Sequence, residues 1–162
     1  MITLTDKEQA NLMLNVYFKT QAAIEKYLGP DRLEEWTVYV AKQFSDNIRE
    51  TSNSMEEIEE KVVRELAEVL TVYGSDYEYI KEDGHISLDV KRCGIFNYRG
   101  KAQEKGVELT LKLPCEFCTD FRNKVAEQLN VEGLSYSLHE CGCKWTKTLS
   151  SKNENDQPLF YK

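Results

Sequence analysis

The chain is short of positive charge. It sets 21 basic side chains against 28 acidic ones, a formal charge of −7. The broad positive field that sequence-independent nucleic-acid binding draws on is therefore missing. No apolar run approaches the length of a membrane span. The opening residues, MITLTDKEQANLML, carry acidic groups early and lead to no small-residue cleavage site, unlike a signal peptide. There is no internal repeat, no second domain and no recognisable helix-turn-helix segment. These absences predict a cytoplasmic protein with neither nucleic acid nor membrane as a partner. In a reducing compartment its five cysteines stay thiols. Clustered thiols then point to metal or redox chemistry, and their odd number fits poorly with complete internal pairing.

What is present suits one domain with its own hydrophobic core, over residues 1–149, followed by a polar tail over 150–162. Three helices open the chain. Thr5 stands three residues before Glu8, a capping box, ahead of Leu12, Val16, Phe18, Ala22, Ala23 and Tyr27. Gly29-Pro30 ends that helix. A second, restarting at Asp31, carries the stripe Leu33, Trp36, Val40, Phe44 and Ile48. A third, capped by Ser54 and Glu57, buries Ile58, Val62, Leu66, Val69 and Leu70. Its other face holds six Glu against one Lys and one Arg between Met55 and Leu70, the pattern of a solvated face that also suits a docking surface. The period then drops to two. Tyr77 and Tyr79, an Asp83-Gly84 turn, and Ile86, Leu88 and Val90 make a hairpin. GIFNYRGKAQEKG reads as a short helix or loop, VELTLKLP as a strand, and CEFCTDFRNKVAEQLN as a helix opened by Pro114. GLSYSLHE and KWTKTL read as two strands joined through Cys-Gly-Cys.

The cysteines fall in three pieces: VKRCGIF, LPCEFCTDF and HECGCKWTKTL. Cys115, Cys118, Cys141 and Cys143 give C-x2-C-x22-C-x-C. A C-x2-C at a helix start and a C-x-C at a glycine turn can each offer two thiolates, and four satisfy tetrahedral zinc or, alternatively, an Fe–S cluster. The pattern departs from a zinc ribbon, which has two C-x2-C knuckles. Cys118, beside Phe117 and Phe121 on a helix face, also fits plain packing. Glu140 and His139 could ligate the metal or move protons. In an alternating strand they point to opposite faces, so only one is expected to reach the site. Cys93 opens a basic stretch of Lys91, Arg92, Arg99, Lys101, Lys105 and Lys112. Nearby cations lower a thiol's pKa, which makes Cys93 a candidate nucleophile and the stretch a candidate seat for an anionic ligand. A strand-end cysteine beside solvated lysines is the plainer alternative. His85, at a turn, has no assigned role.

This layout, "RC", then "PC" opening a helix, then C-x-C-K-W in a terminal strand, resembles the L-2-amino-thiazoline-4-carboxylic acid hydrolase-like proteins and the wider set that includes 4-vinyl reductase domains. The resemblance spans about residues 76–149. It implies an α+β fold, with N-terminal helices packed on an antiparallel β-sheet and a helix crossing before the C-terminal hairpin. In zinc-bearing 4-vinyl reductase domains the matching ligands are Cys115, Glu140 and Cys143. No cysteine follows Cys143, so Cys93, Cys118 or Cys141 would complete that set. In the hydrolase-like proteins the matching cysteines are Cys93, Cys115 and Cys143. The leading expectation is a sensory or regulatory small-molecule-binding domain with a zinc site and an apolar pocket lined by Trp36, Tyr39, Phe44 and Tyr77, with a homodimer compatible. The alternatives are a hydrolase of a cyclic amidine or thiazoline acid using Cys93, His139 and Glu140, and a thiol-based redox sensor or Fe–S protein.

Overall fold

A computed structural model describes residues 4–104, 106, 114–140 and 142–150. The elements run α1 (Asp6–Leu28), α2 (Pro30–Glu50), α3 (Met55–Val72), β1 (Asp76–Glu82), β2 (His85–Arg92), α4 (Gly94–Glu104), α5 (Pro114–Leu129), β3 (Ser135–His139) and β4 (Gly142–Thr148). The strands form one antiparallel sheet in the order β1-β2-β4-β3. The fold is α+β, with helices N-terminal and α5 crossing between the two hairpins. The strand expected at VELTLKLP lies outside the described residues apart from Pro114, which opens α5. The tail beyond Ser150 lies outside them too.

Local chemistry explains most boundaries. The Thr5 hydroxyl accepts from the Glu8 amide, and the Glu8 carboxylate accepts from the Thr5 amide at 2.8 Å, closing the expected box. Ser54 caps α3 through the Glu57 amide. The second helix starts one residue before Asp31, at Pro30, with Gly29 as its cap. Asp83 and Gly84 both take positive φ, 47° and 73°, which a two-residue hairpin turn of right-handed twist requires.

Helix α3 is the keel. Its Ile58 and Val62 pack with Ala41 and Ile48 of α2 and with Phe121, Val125 and Leu129 of α5. Its Val63, Leu66, Ala67 and Leu70 face Ile86, Leu88 and Val90 of β2 and Trp145 of β4. Val62 and Val63 are neighbours and both buried, because this helix is covered from two sides. Helix α2 meets α5 along the small buried residues Thr37, Ala41 and Ser45, spaced four apart. These let the backbones approach until the Ser45 hydroxyl reaches both Ala41 O and Val125 O.

Two expectations about faces change. Helix α1 turns Leu14, Phe18 and Gln21 inward, whereas Leu12 and Val16 are each 54% exposed. Leu14 and Phe18 join a satellite cluster with Ile95 of α4, while the helix also packs along α2. The acidic face of α3 is not wholly solvated. Glu59 is 3% exposed, its carboxylate 2.9 Å from the Lys147 ammonium and accepting from the Ser150 amide and hydroxyl. No helix among the described residues is long and apolar enough to cross a membrane.

Candidate functional site

Four of the five cysteines line one cavity of about 150 Å³. Cys93 sits at the junction of β2 and α4, Cys115 and Cys118 on the first turns of α5, and Cys143 near the start of β4. Leu66 and Leu70 of α3, Ile95, Phe96, Leu138 and Trp145 supply the apolar wall, and His139 and Glu140 reach the same space. Cys141 lies outside the described residues. The cavity thus gathers Cys93 with Cys115, Cys118 and Cys143, although Cys93 is 22 residues from its nearest cysteine in sequence.

Close backbone approaches hold the two ends of this wall. Gly94 follows Cys93. A Cβ there would lie 1.8 Å from the Tyr73 carbonyl oxygen, so α4 starts pressed against the end of α3, where the Gly94 amide donates to the Ser75 hydroxyl at 2.9 Å. Gly142 precedes Cys143, and a Cβ there would meet Val90 O at 1.8 Å and His139 Cε1 at 3.0 Å. Gly142→Ala must push β4 off β2 beside Cys143. It is expected to cost at least about 1–3 kcal/mol, read as a lower urea midpoint.

His139 and Glu140 both line the cavity, contrary to the alternation argument. Strand β3 ends at His139, and Glu140 is already in the turn, where side-chain directions no longer alternate. His139 Nε2 is 3.5 Å from Asp89 Oδ1. Both residues are exposed and stand on the solvent side of the thiols.

The thiols are held in their neutral form. Burial pushes Cys118 up to about 11 and Cys143 up to about 12. Arg122 opposes the rise at Cys118, and at Cys143 the Trp145 indole N–H, which donates to the sulfur at 3.2 Å, does so. Burial also raises Cys115, with the nearby Cys93 adding to it and Arg99 opposing. Cys93 is raised by burial despite the amides of Phe96 and Ile95 and the Ser75 hydroxyl. The expectation that flanking cations would lower the Cys93 pKa is therefore corrected. Lys91 is spent on Asp89 and Glu78, and Arg92 is exposed. Arg99 is buried, its charge coupled to Glu116 and Cys115. Lys105 and Lys112 lie outside the described residues.

The aromatic residues expected to line the pocket do other work. Trp36 stacks on Phe117 and Phe44 packs edge-on to Phe121, both in the α2–α5 seam. Tyr39 is exposed. Tyr77 shares a hydrogen bond of 2.7 Å with the Thr71 hydroxyl. The residues missed are Trp145, two positions after Cys143 and so on its face of the strand, and Arg122, four after Cys118 and so on its face of the helix. Those spacings were signals within reach.

The donor set is soft, which suits zinc, Cu(I) or Fe–S chemistry. Among the described residues, no three His, Cys, Asp or Glu side chains are gathered into a group that could hold a metal ion. The thiols share a cavity without converging on one point. Compared with models of protein families, with curated proteins and with solved structures, the chain matches none.

Proposed function

We propose that this chain is a small-molecule-binding domain whose cavity carries a thiophilic metal, zinc first, held by Cys93, Cys115, Cys118 and Cys143. The observation that carries this reading is that four cysteines, from three separate segments, line one mostly apolar cavity. Because the thiols are neutral when metal-free, binding releases their protons and is strongly pH-dependent. A cavity of this size also matches one small ligand; an engineered apolar cavity of about 150 Å³ binds benzene. His139 and Glu140 then meet whatever polar group that ligand turns to solvent.

The raised thiol pKa values weigh against Cys93 as an attacking thiolate, since the thiol form is a poor nucleophile. Elemental analysis of anaerobically purified protein, with a visible spectrum of the same sample, tests the proposal. One zinc per chain without colour is the expected result. Iron with sulfide and a brown spectrum would move the reading to redox chemistry. Protein that contains no metal and takes up none from added zinc would sink it.

A further inference from the structure

The basic stretch around Cys93 divides in the fold. Arg92 and Lys101 line a second cavity, of about 410 Å³, where Lys7 of α1 joins them. This cavity shares no lining residue with the cysteine cavity. Its three cations come from the first turn of α1, the end of β2 and the body of α4. None of them forms an ion pair among the described residues, although the chain carries 28 acidic side chains. Elsewhere Lys42, Lys61, Lys81, Lys124 and Lys147 each hold a carboxylate. The one carboxylate on the cavity wall is that of Asp6, so three positive charges face one negative, an excess of two. The floor beneath them is apolar and held in place. Leu14 is buried. Tyr98 stacks on Phe18 with ring centres 5.7 Å apart, and Tyr73 packs on Tyr17 at 5.6 Å.

We propose that this cavity binds a small organic phosphate, a phosphate monoester carried on a flat ring. A phosphate monoester bears about −1.5 to −2 charge at neutral pH, which matches the excess of two. Arg92 offers a planar fork that meets two phosphate oxygens at once, and Lys7 and Lys101 act as point charges. The exposed carboxamides of Asn11 and Asn97, also on the wall, add neutral donors. The ring lies over Tyr73, Tyr98 and Leu14. The volume falls within the range of small-molecule pockets, about 300–1,000 Å³. Nothing in this inference depends on the metal reading.

The test is calorimetric titration of the full chain with phenyl phosphate, inorganic phosphate and the singly charged diester methyl phenyl phosphate. Phenyl phosphate is expected to saturate one site per chain and to weaken as salt is raised. Inorganic phosphate leaves the aromatic floor unused, and the diester brings about half the charge. Each is expected to bind about 10-fold more weakly. Lys7→Gln, Arg92→Gln and Lys101→Gln are each expected to weaken phenyl phosphate by about 10-fold. Lys19→Gln, at an exposed lysine of α1 outside the cavity, should leave it within about 2-fold. All four positions are exposed, so melting temperatures are expected to stay at the wild-type value, which separates lost binding from lost folding. No saturation by phenyl phosphate at millimolar concentration overturns the inference. So does an affinity untouched by the three cavity substitutions, or equal for monoester and diester. An equal loss in Lys19→Gln would reduce the effect to net charge and overturn the site as well. Inorganic phosphate that binds as tightly as phenyl phosphate overturns the assignment of a ring-bearing ligand.

Discussion

Glu59→Ala is expected to cost the fold about 3–5 kcal/mol, the penalty for stranding one member of a buried ion pair. The truncation leaves the Lys147 ammonium, 6% exposed, without its partner, and frees the amide and hydroxyl of Ser150. It thereby detaches the end of β4 from α3. The check is chemical unfolding of wild type, the single variant, and a double variant with Glu59→Leu and Lys147→Met. The double variant is expected to recover most of the loss, because a well-packed apolar pair replaces a buried ion pair at little cost. A single variant as stable as wild type would show that the pair is idle. The same contact gives an acid-sensitive term. Burial alone would raise the Glu59 carboxyl, but Lys147 and the two Ser150 donors outweigh it and hold the carboxyl below its ordinary value of 4.5. A folded-state pKa below the unfolded one gives stability that is present above the unfolded value and is lost as pH falls through the folded value. The wild-type urea midpoint should therefore fall below about pH 4.5, and the double variant should lose less over that range.

Serine scanning of the cysteines separates two ligand sets. Spacing alone selects Cys115, Cys118, Cys141 and Cys143; Cys93, Cys115, Cys118 and Cys143 line the cavity, and Cys141 lies outside the described residues. Structural zinc in small thiolate sites is worth about 10–16 kcal/mol. Shared over four ligands, one lost thiolate costs roughly 3 kcal/mol, on the order of 100-fold in affinity. Cys93→Ser is expected to show that loss and Cys141→Ser to leave zinc affinity near wild type, while serine at 115, 118 or 143 weakens it under either set. The readout is Zn²⁺ competition against a chromophoric chelator. The reverse result, with Cys141 essential and Cys93 dispensable, would return the site to the C-x2-C and C-x-C arrangement. Trp145 gives an independent signal, since its indole N–H already touches Cys143 sulfur and its fluorescence should follow the state of that thiol.

What the sequence made legible was chemistry that acts over a few residues. The capping box at Thr5, the cap at Ser54, the Asp83-Gly84 turn and the proline at the head of α5 are local arrangements, and they stand as read. The stripe on α2 holds at Leu33 and Ile48, while Trp36, Val40 and Phe44 are half-buried and the small residues Thr37, Ala41 and Ser45, each one position on, are buried more deeply. The α1 stripe misleads, since the helix turns Leu14, Phe18 and Gln21 inward against its neighbours and leaves Leu12 and Val16 in solvent whatever their hydrophobicity. Glu59 was unreadable for a related reason: its partner Lys147 lies 88 positions away, and no local pattern announces such a pair. At the site, spacing brought Cys115, Cys118 and Cys143 to notice. The place of Cys93 beside them follows from sheet order, which puts β4 against β2. Its depressed pKa failed because counting nearby lysines ignores burial and the carboxylates that occupy them.

The position of β4 has a further consequence, for biosynthesis. The last of the described strands is an inner strand of the sheet, between β2 and β3. As the chain leaves the ribosome, β2 pairs with β1 early. Its other edge, with Ile86, Leu88 and Val90, then waits some fifty residues for a partner. An unpaired apolar edge is a template for sticking to other chains. The nascent protein is at its most vulnerable just before Gly142–Thr148 emerges, and the cysteine cavity is completed in the same event that closes that edge.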